Sequence, residues 1–181
     1  LVQMEATGAD ISGTALFNNE GRGFGSKIAM RDVITNYIYP NTLAVLKISG
    51  EDLRLALERV ATYFIVKDGE VQFNPKYIEP KPQYYNYDMY EGIEYTLDFT
   101  KPFGERVTRL DYHGAPIQDT DELEVVTNQY RAVGGGNYAM FKPEKIVREV
   151  QIDMTELIAD YMKKHPVLEA TTNQNFKTII K

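Results

Sequence analysis

The chain has 181 residues, of which 43% are hydrophobic: enough for one domain with a sizeable core, and too apolar for a disordered segment. Its formal net charge of −6 lacks the basic footprint of a binder of long nucleic acid, although one arginine suffices to hold a single nucleotide. There is no cysteine, hence no disulfide framework or thiolate chemistry, and no apolar run approaches the length of a membrane span.

The opening LVQMEATGAD carries no signal peptide and reads as the interior of a longer protein, so residues 1–181 are expected to be a single domain cut from it. Residues 9–18 have β character and run into NNEGRGFGS, a polar glycine-rich loop. Residues 26–38 read as a short helix with Ile34 and Ile38 on one face. LAVLKI, 43–48, is a continuous apolar run of strand length, expected to be buried. SGEDLRLALERVATYF, 49–64, is the clearest helix. Ser49 stands at the N-cap and Asp52 at the capping-box position, and Leu53, Ala56, Leu57, Val60, Ala61 and Phe64 make one apolar stripe.

Lys67, Asp68 and Gly69 predict a turn, and residues 70–86, rich in Pro, Gln and Tyr, predict irregular chain. IEYTLDFT, 93–100, alternates Ile93, Tyr95, Leu97 and Phe99 against polar neighbours, the pattern of a half-buried strand. A second strand leads to a turn at His113-Gly114, and residues 122–130 make a third. In 153–164 Asp153 caps a helix whose buried stripe is Met154, Leu157, Ile158, Tyr161 and Met162; Lys163, Lys164 and His165 suit its C-terminus and Pro166 stops it. Interleaved strands and helices with hairpin-like neighbours predict an α+β fold of mixed sheets packed with helices, not a βαβ array. The 13 tyrosines, with no tryptophan, suit half-wet surfaces.

Chemistry-bearing motifs are sparse. His113 and His165 stand near no second ligand in sequence and read as surface residues; Asp88, Glu91 and Glu94 read as the solvent side of a strand entrance. No catalytic residue and no metal ligand is assigned. GRGFGS, 21–26, matches a dinucleotide turn only superficially. It is either a loop offering amides and the Arg22 fork to phosphate, or a surface loop with a solvated arginine. In TNQYRAVGGGNY, 127–138, three consecutive glycines are costly to order, so the backbone there must turn sharply or lie close to another group. On the residues alone, Tyr39 reads as a hydrophobic staple before a strand, Asn41 as turn-forming and Tyr130 as a core-edge aromatic. Without a family to guide it, the sequence reads as a holder of a small polar or aromatic ligand or of a partner domain. A non-catalytic interaction module would use the tyrosine-rich segment 84–95 as its contact patch.

Three stretches, in order, resemble one family: YPNTLAVLKISGEDLRLALE at 39–58, YNYDMYEGIEYTLD at 85–98, and TNQYRAVGGGNY. They are similar to the C-terminal domain of the bacterial 5′-nucleotidases. The YPNTL form favours the bifunctional 2′,3′-cyclic-nucleotide 2′-phosphodiesterase/3′-nucleotidase branch, since the typical 5′-nucleotidase turn reads Pro-Phe-Gly-Asn. The resemblance covers residues 9–180 and implies a secreted, periplasmic or cell-wall-associated nucleotide phosphoesterase. In it an N-terminal metallophosphatase domain with two divalent metal ions does the hydrolysis, and this domain, with no cofactor of its own, holds the nucleotide or nucleoside. It implies Tyr39 and Tyr130 as the two walls around the base, the glycines letting the chain turn away from the Tyr130 ring. Asn41 would be a polar contact to base or ribose, and Arg22 a phosphate-binding arginine. Gly136 stands where the 5′-nucleotidases carry a ribose-binding aspartate, so that contact is expected to be missing or supplied by Asn137. That suits a 2′,3′-cyclic or 3′-phosphorylated ribose.

Overall fold

The structure, a computed structural model, describes every residue except Asn18, Asn19 and Arg22. The elements before the central helix are α1 (Val2–Thr7), β1 (Ile11–Ala15), α2 (Met30–Asn36) and β2 (Leu43–Ser49), then α3 (Gly50–Ala61). Next come β3 (Phe64–Lys67), β4 (Glu70–Phe73), β5 (Asp88–Glu91), β6 (Glu94–Asp98), β7 (Val107–Tyr112) and β8 (Ala115–Pro116). The chain closes with β9 (Glu122–Asn128), the single turn α4 (Gln129–Ala132), β10 (Ile146–Val150), α5 (Met154–Lys164) and β11 (Phe176–Ile179). A five-stranded sheet, order β10-β2-β9-β1-β5, forms the middle layer; a four-stranded sheet, order β11-β6-β7-β8, and the β3-β4 hairpin complete the strands. The sheets are mixed: β1 runs parallel to β9, and β2 antiparallel to β9. This is the α+β fold expected.

Two hydrophobic cores explain why β2 is a continuous apolar run. Ala44, Leu46 and Ile48 join the core that holds α3 and the second sheet, while Leu43 and Val45 join a core with α1, α2 and α5. Alternate side chains therefore serve opposite faces of one strand, and both faces are buried from Leu43 to Leu46, Lys47 alone being exposed. In α3 the capping box is formed, Ser49 Oγ accepting from Asp52 N–H at 3.1 Å and Asp52 accepting from Ser49 N–H at 3.0 Å. Leu53, Ala56, Leu57, Val60 and Ala61 are wholly buried, each large one contributing roughly 1.5–3 kcal/mol. The helix stops at Ala61, so Phe64 leaves the stripe and opens β3.

Four expectations are corrected. Residues 70–73 are a strand: Asp68 and Gly69 have φ of +54° and +78°, the two-residue turn that matches strand twist, and Phe64 stacks on Phe73 at 5.6 Å. The hairpin lies mostly exposed, so it lacks the alternating pattern of a half-buried strand. In α2 the buried residue is Val33, whereas Ile34 and Ile38 are exposed. β6 buries Thr96 and Asp98 as well as its apolar set, Asp98 accepting from the N–H and hydroxyl of Thr100. Of the 13 tyrosines eight are half-buried or exposed, as expected, but five are not. Tyr63, Tyr77, Tyr90, Tyr95 and Tyr138 are core residues, which also takes Tyr90 and Tyr95 out of any contact patch at 84–95.

Candidate functional site

β1 and β9 are parallel, so they end at the same edge of the central sheet, and β2, antiparallel to β9, starts there, Leu43 pairing with Asn128. Three chain segments meet at this edge: Phe17 after β1, Tyr39, Pro40 and Asn41 before β2, and Asn128 at the end of β9 with Tyr130 and Arg131 just beyond it. With Lys81 and Tyr85 from the long connection they line a cavity of about 400 Å³.

Tyr130 is held at this rim by local geometry. Asn128 caps α4 by accepting from Arg131 N–H at 2.8 Å, and Gln129 N–H donates to Thr42 at 3.0 Å, joining both sides of the cavity. The Tyr130 ring remains 53% exposed and Tyr39 44%. Phe17 braces Tyr39 edge-on at 6.1 Å. Phe17 also meets Tyr37 edge-on, whose phenol burial pushes up to about 12.

The glycines answer to close approach. A Cβ on Gly135 would lie 2.6 Å from the Tyr130 ring and against its carbonyl oxygen, so only glycine lets the ring rest there. Gly134 and Gly136 have φ of +91° and +74°, where L side chains are strained. A Cβ on Gly136 would also strike Arg131 and the side chain of Asn86. A ribose-binding side chain thus has no room at 136 while Arg131 keeps its place.

Arg131 organises the floor of the site and is 1% exposed. It grips Asp88 with Nε to Oδ2 at 2.8 Å and Nη2 to Oδ1 at 2.9 Å, and donates to the carbonyls of Tyr85, at 2.7 Å, and Gly135. Its guanidinium lies 4.1 Å from the Tyr138 ring, and Arg59, at 5.2 Å from that ring, donates to the Gly136 carbonyl at 2.8 and 3.1 Å. Burial works against the Arg131 charge, but Asp88 holds its pKa above the ordinary value. Burial likewise pushes the Asp88 carboxyl up, with Arg131 pulling it back; the two-pronged geometry is that of an ionised pair. Burial and then the Asp88 charge raise the phenols of Tyr90 and Tyr138, which stay neutral. Asp88, read from sequence as solvent-facing, is 2% exposed. Its partner lies in a distant segment, which no local pattern discloses.

Of the residues singled out by sequence, Tyr39, Asn41 and Tyr130 line the cavity together. Asn41 also accepts through its carbonyl from Met154 N–H at 2.9 Å, fixing the turn to α5. Asn137 is exposed at φ +66° and is not among the lining residues. Arg22 lies outside the described residues. Phe17, Lys81 and Asn128 escaped the sequence reading, as did the place of Arg131 in the site, and Tyr85 entered it only as part of the tyrosine-rich segment 84–95; of these Asn128 had a signal, an asparagine at the start of a helical turn. His113 stacks on Tyr112 at 3.9 Å and His165 approaches Glu5 at 2.9 Å, both away from the cavity. Among the described residues no group of three or more His, Asp or Glu is placed to hold a metal ion, and no helix is long and apolar enough to cross a membrane.

Fold and cavity together define an α+β domain with an open cavity at one edge of its mixed central sheet. The family described as the 5′-nucleotidase C-terminal domain matches residues 2–143. A 2′,3′-cyclic-nucleotide 2′-phosphodiesterase/3′-nucleotidase from Haemophilus influenzae is 32% identical over 168 residues, covering 82% of this chain and 24% of that protein. The trifunctional nucleotide phosphoesterase YfkN of Bacillus subtilis is 28% identical over 82% of this chain and 11% of its own length. In a solved Staphylococcus aureus structure assigned to the 5′-nucleotidases, the match has a TM-score of 0.92 at 38% identity, covering 98% of this chain and 35% of that one. The chain belongs to the 5′-nucleotidase C-terminal domain family. It spans a quarter or less of the two curated relatives, which are nucleotide-hydrolysing enzymes.

Proposed function

We propose that this chain is the substrate-binding domain of a nucleotide phosphoesterase and that it holds the nucleobase between Tyr39 and Tyr130. The observation that carries the reading is that two half-exposed tyrosine rings from opposite sides of the β2-β9 pair line one cavity of about 400 Å³. Every base has a π-face, and stacking on such rings is worth roughly 1–3 kcal/mol per base. Asn41, beside Tyr39, offers both donor and acceptor to base or ribose. Asn137 and Arg22 keep the ribose and phosphate roles that the resemblance gives them.

Hydrolysis belongs to an N-terminal metallophosphatase domain of a longer protein, where two divalent ions would supply an activated water. This domain binds and orients the nucleotide and hydrolyses nothing by itself. The enzyme acts outside the cytoplasm, secreted, periplasmic or bound to the cell wall. The relationship to the Haemophilus enzyme supports a 2′,3′-cyclic or 3′-nucleotide as substrate, and the lack of room at Gly136 for a side chain reaching the ribose agrees with that choice.

Titration with adenosine and 3′-AMP, followed by amide NMR shifts, tests the reading. Saturable binding is expected, weakened about tenfold or more in a Tyr39→Ala, Tyr130→Ala double variant. Equal binding by wild type and the double variant refutes it.

A further inference from the structure

The cavity has a second chamber. A pocket of about 330 Å³ shares Phe17, Tyr39, Lys81 and Tyr85 with it, so Lys81 stands where the two meet. Among the described residues the main cavity is lined by two cations, Lys81 and Arg131, and by no carboxylate, in a chain whose net charge is −6. The two cations differ. Arg131 is buried, its charge is matched by Asp88, and all three guanidinium nitrogens are bonded to protein oxygens. It shapes the wall, with its charge already balanced by Asp88 and four of its five N–H groups bonded to protein oxygens. Lys81 is exposed and makes no hydrogen bond or ion pair among the described residues.

Its position is also fixed. Pro80 and Pro82 flank it, limiting the backbone on both sides. The connection is pinned by Gln83 N–H to the Tyr77 carbonyl at 2.9 Å and by Arg131 to the Tyr85 carbonyl at 2.7 Å. The ammonium's stem is therefore tethered beside the same tyrosine that walls the main cavity, in an aromatic setting with little competing negative charge. Glu20, which lines only the second chamber, is the one carboxylate around the two among the described residues.

We infer that Lys81 is a further anion contact at this cavity, beside the proposed Arg22, reading the phosphate on the ribose of the stacked nucleoside and favouring nucleotide over bare nucleoside. The inference rests on the proposed base site. A lysine partly in water attracts a phosphate at contact distance enough to change affinity about fivefold, and salt screens the gain.

The test compares wild type, Lys81→Gln and Lys81→Glu in titrations with adenosine, 3′-AMP, 2′,3′-cyclic AMP and inorganic phosphate, at low and high salt. Wild type is expected to bind 3′-AMP about fivefold tighter than adenosine at low salt. Lys81→Gln should lower the preference for 3′-AMP over adenosine several-fold, and Lys81→Glu should lower it further, the ratio of the two affinities being the readout. A nucleotide advantage left undiminished by both substitutions overturns the assignment of Lys81 and leaves the base site standing. Should adenosine fail to bind at all, the base site fails. The phosphate arm then decides: shifts at the amides around residue 81 that vanish in Lys81→Gln support the anion contact, and their absence overturns it.

Discussion

Replacing Asp88 by asparagine removes one charge from the buried pair at the floor of the cavity while keeping the side chain's shape. Asp88 is 2% exposed and Arg131 1%, so neither charge has water to fall back on. Removing one partner of a buried, hydrogen-bonded pair typically costs about 3–5 kcal/mol, because the other charge is left uncompensated. Arg131 keeps its bonds to the carbonyls of Tyr85 and Gly135 and its place 4.1 Å from the Tyr138 ring, so the lower end, about 3 kcal/mol, is expected. Against a total stability of roughly 5–15 kcal/mol that is a large fraction. In urea denaturation followed by circular dichroism, the midpoint should fall by about 1–1.5 M at an m-value of roughly 2–3 kcal/mol/M. An Asp88→Asn, Arg131→Met double variant, with both charges gone, should recover part of the loss. A single variant within about 0.5 kcal/mol of wild type would refute the idea that this ion pair supports the site.

Gly135→Ala should displace Tyr130, since the new methyl would stand 2.6 Å from the ring; nucleoside affinity is expected to fall several-fold with stability lowered by about 1–3 kcal/mol, and unchanged adenosine binding would count against a base wall at Tyr130. Burial works against the Asp52 charge, but its bonds to Lys145, at 2.7 Å, and Ser49 hold its pKa below the ordinary 3.8. Its contribution is therefore fully present above the ordinary carboxylate pKa and lost as pH falls through the lowered folded value. Thermal melts of Asp52→Asn should lie below wild type at neutral pH and converge with it in acid, once the pH is below the lowered folded value; a gap that persists there would place the effect elsewhere.

The parts of this fold that the sequence discloses are those set by local pattern. The α3 capping box, its stripe and the apolar run of β2 each carry their own signature within a dozen residues. Tyr39, Asn41 and Tyr130 were found because motifs flank them, and the structure gathers the three around one cavity. What escaped depends on pairing at a distance. Asp88 carries the same letters as a solvent-facing acid, and only Arg131 beside it makes it a core residue. Lys81 sits between prolines in a stretch with no periodicity, and nothing local says that it lies next to Tyr39. Ile34 and Val33 are equally apolar, and which of them α2 buries was decided by where α5 and the sheet lay.

The same long-range contacts explain how a small cavity keeps its shape at a sheet edge. Its walls come from segments that have no covalent reason to stay together, and two arginines join them through backbone carbonyls. Arg131 ties the 84–88 stretch to the glycine turn through Tyr85, Asp88 and Gly135, and Arg59 ties α3 to the same turn through Gly136. Carbonyls are present whatever the side chains are, so this bracing leaves the lining residues free to vary. The two tyrosines can stay half-exposed because they carry little of the folding energy; the ion pair beneath them and the core behind them do that. The glycine run of 134–136 is the cost of this arrangement, since two of its positions lie so close to Tyr130 and Arg131 that any side chain would push one of them out.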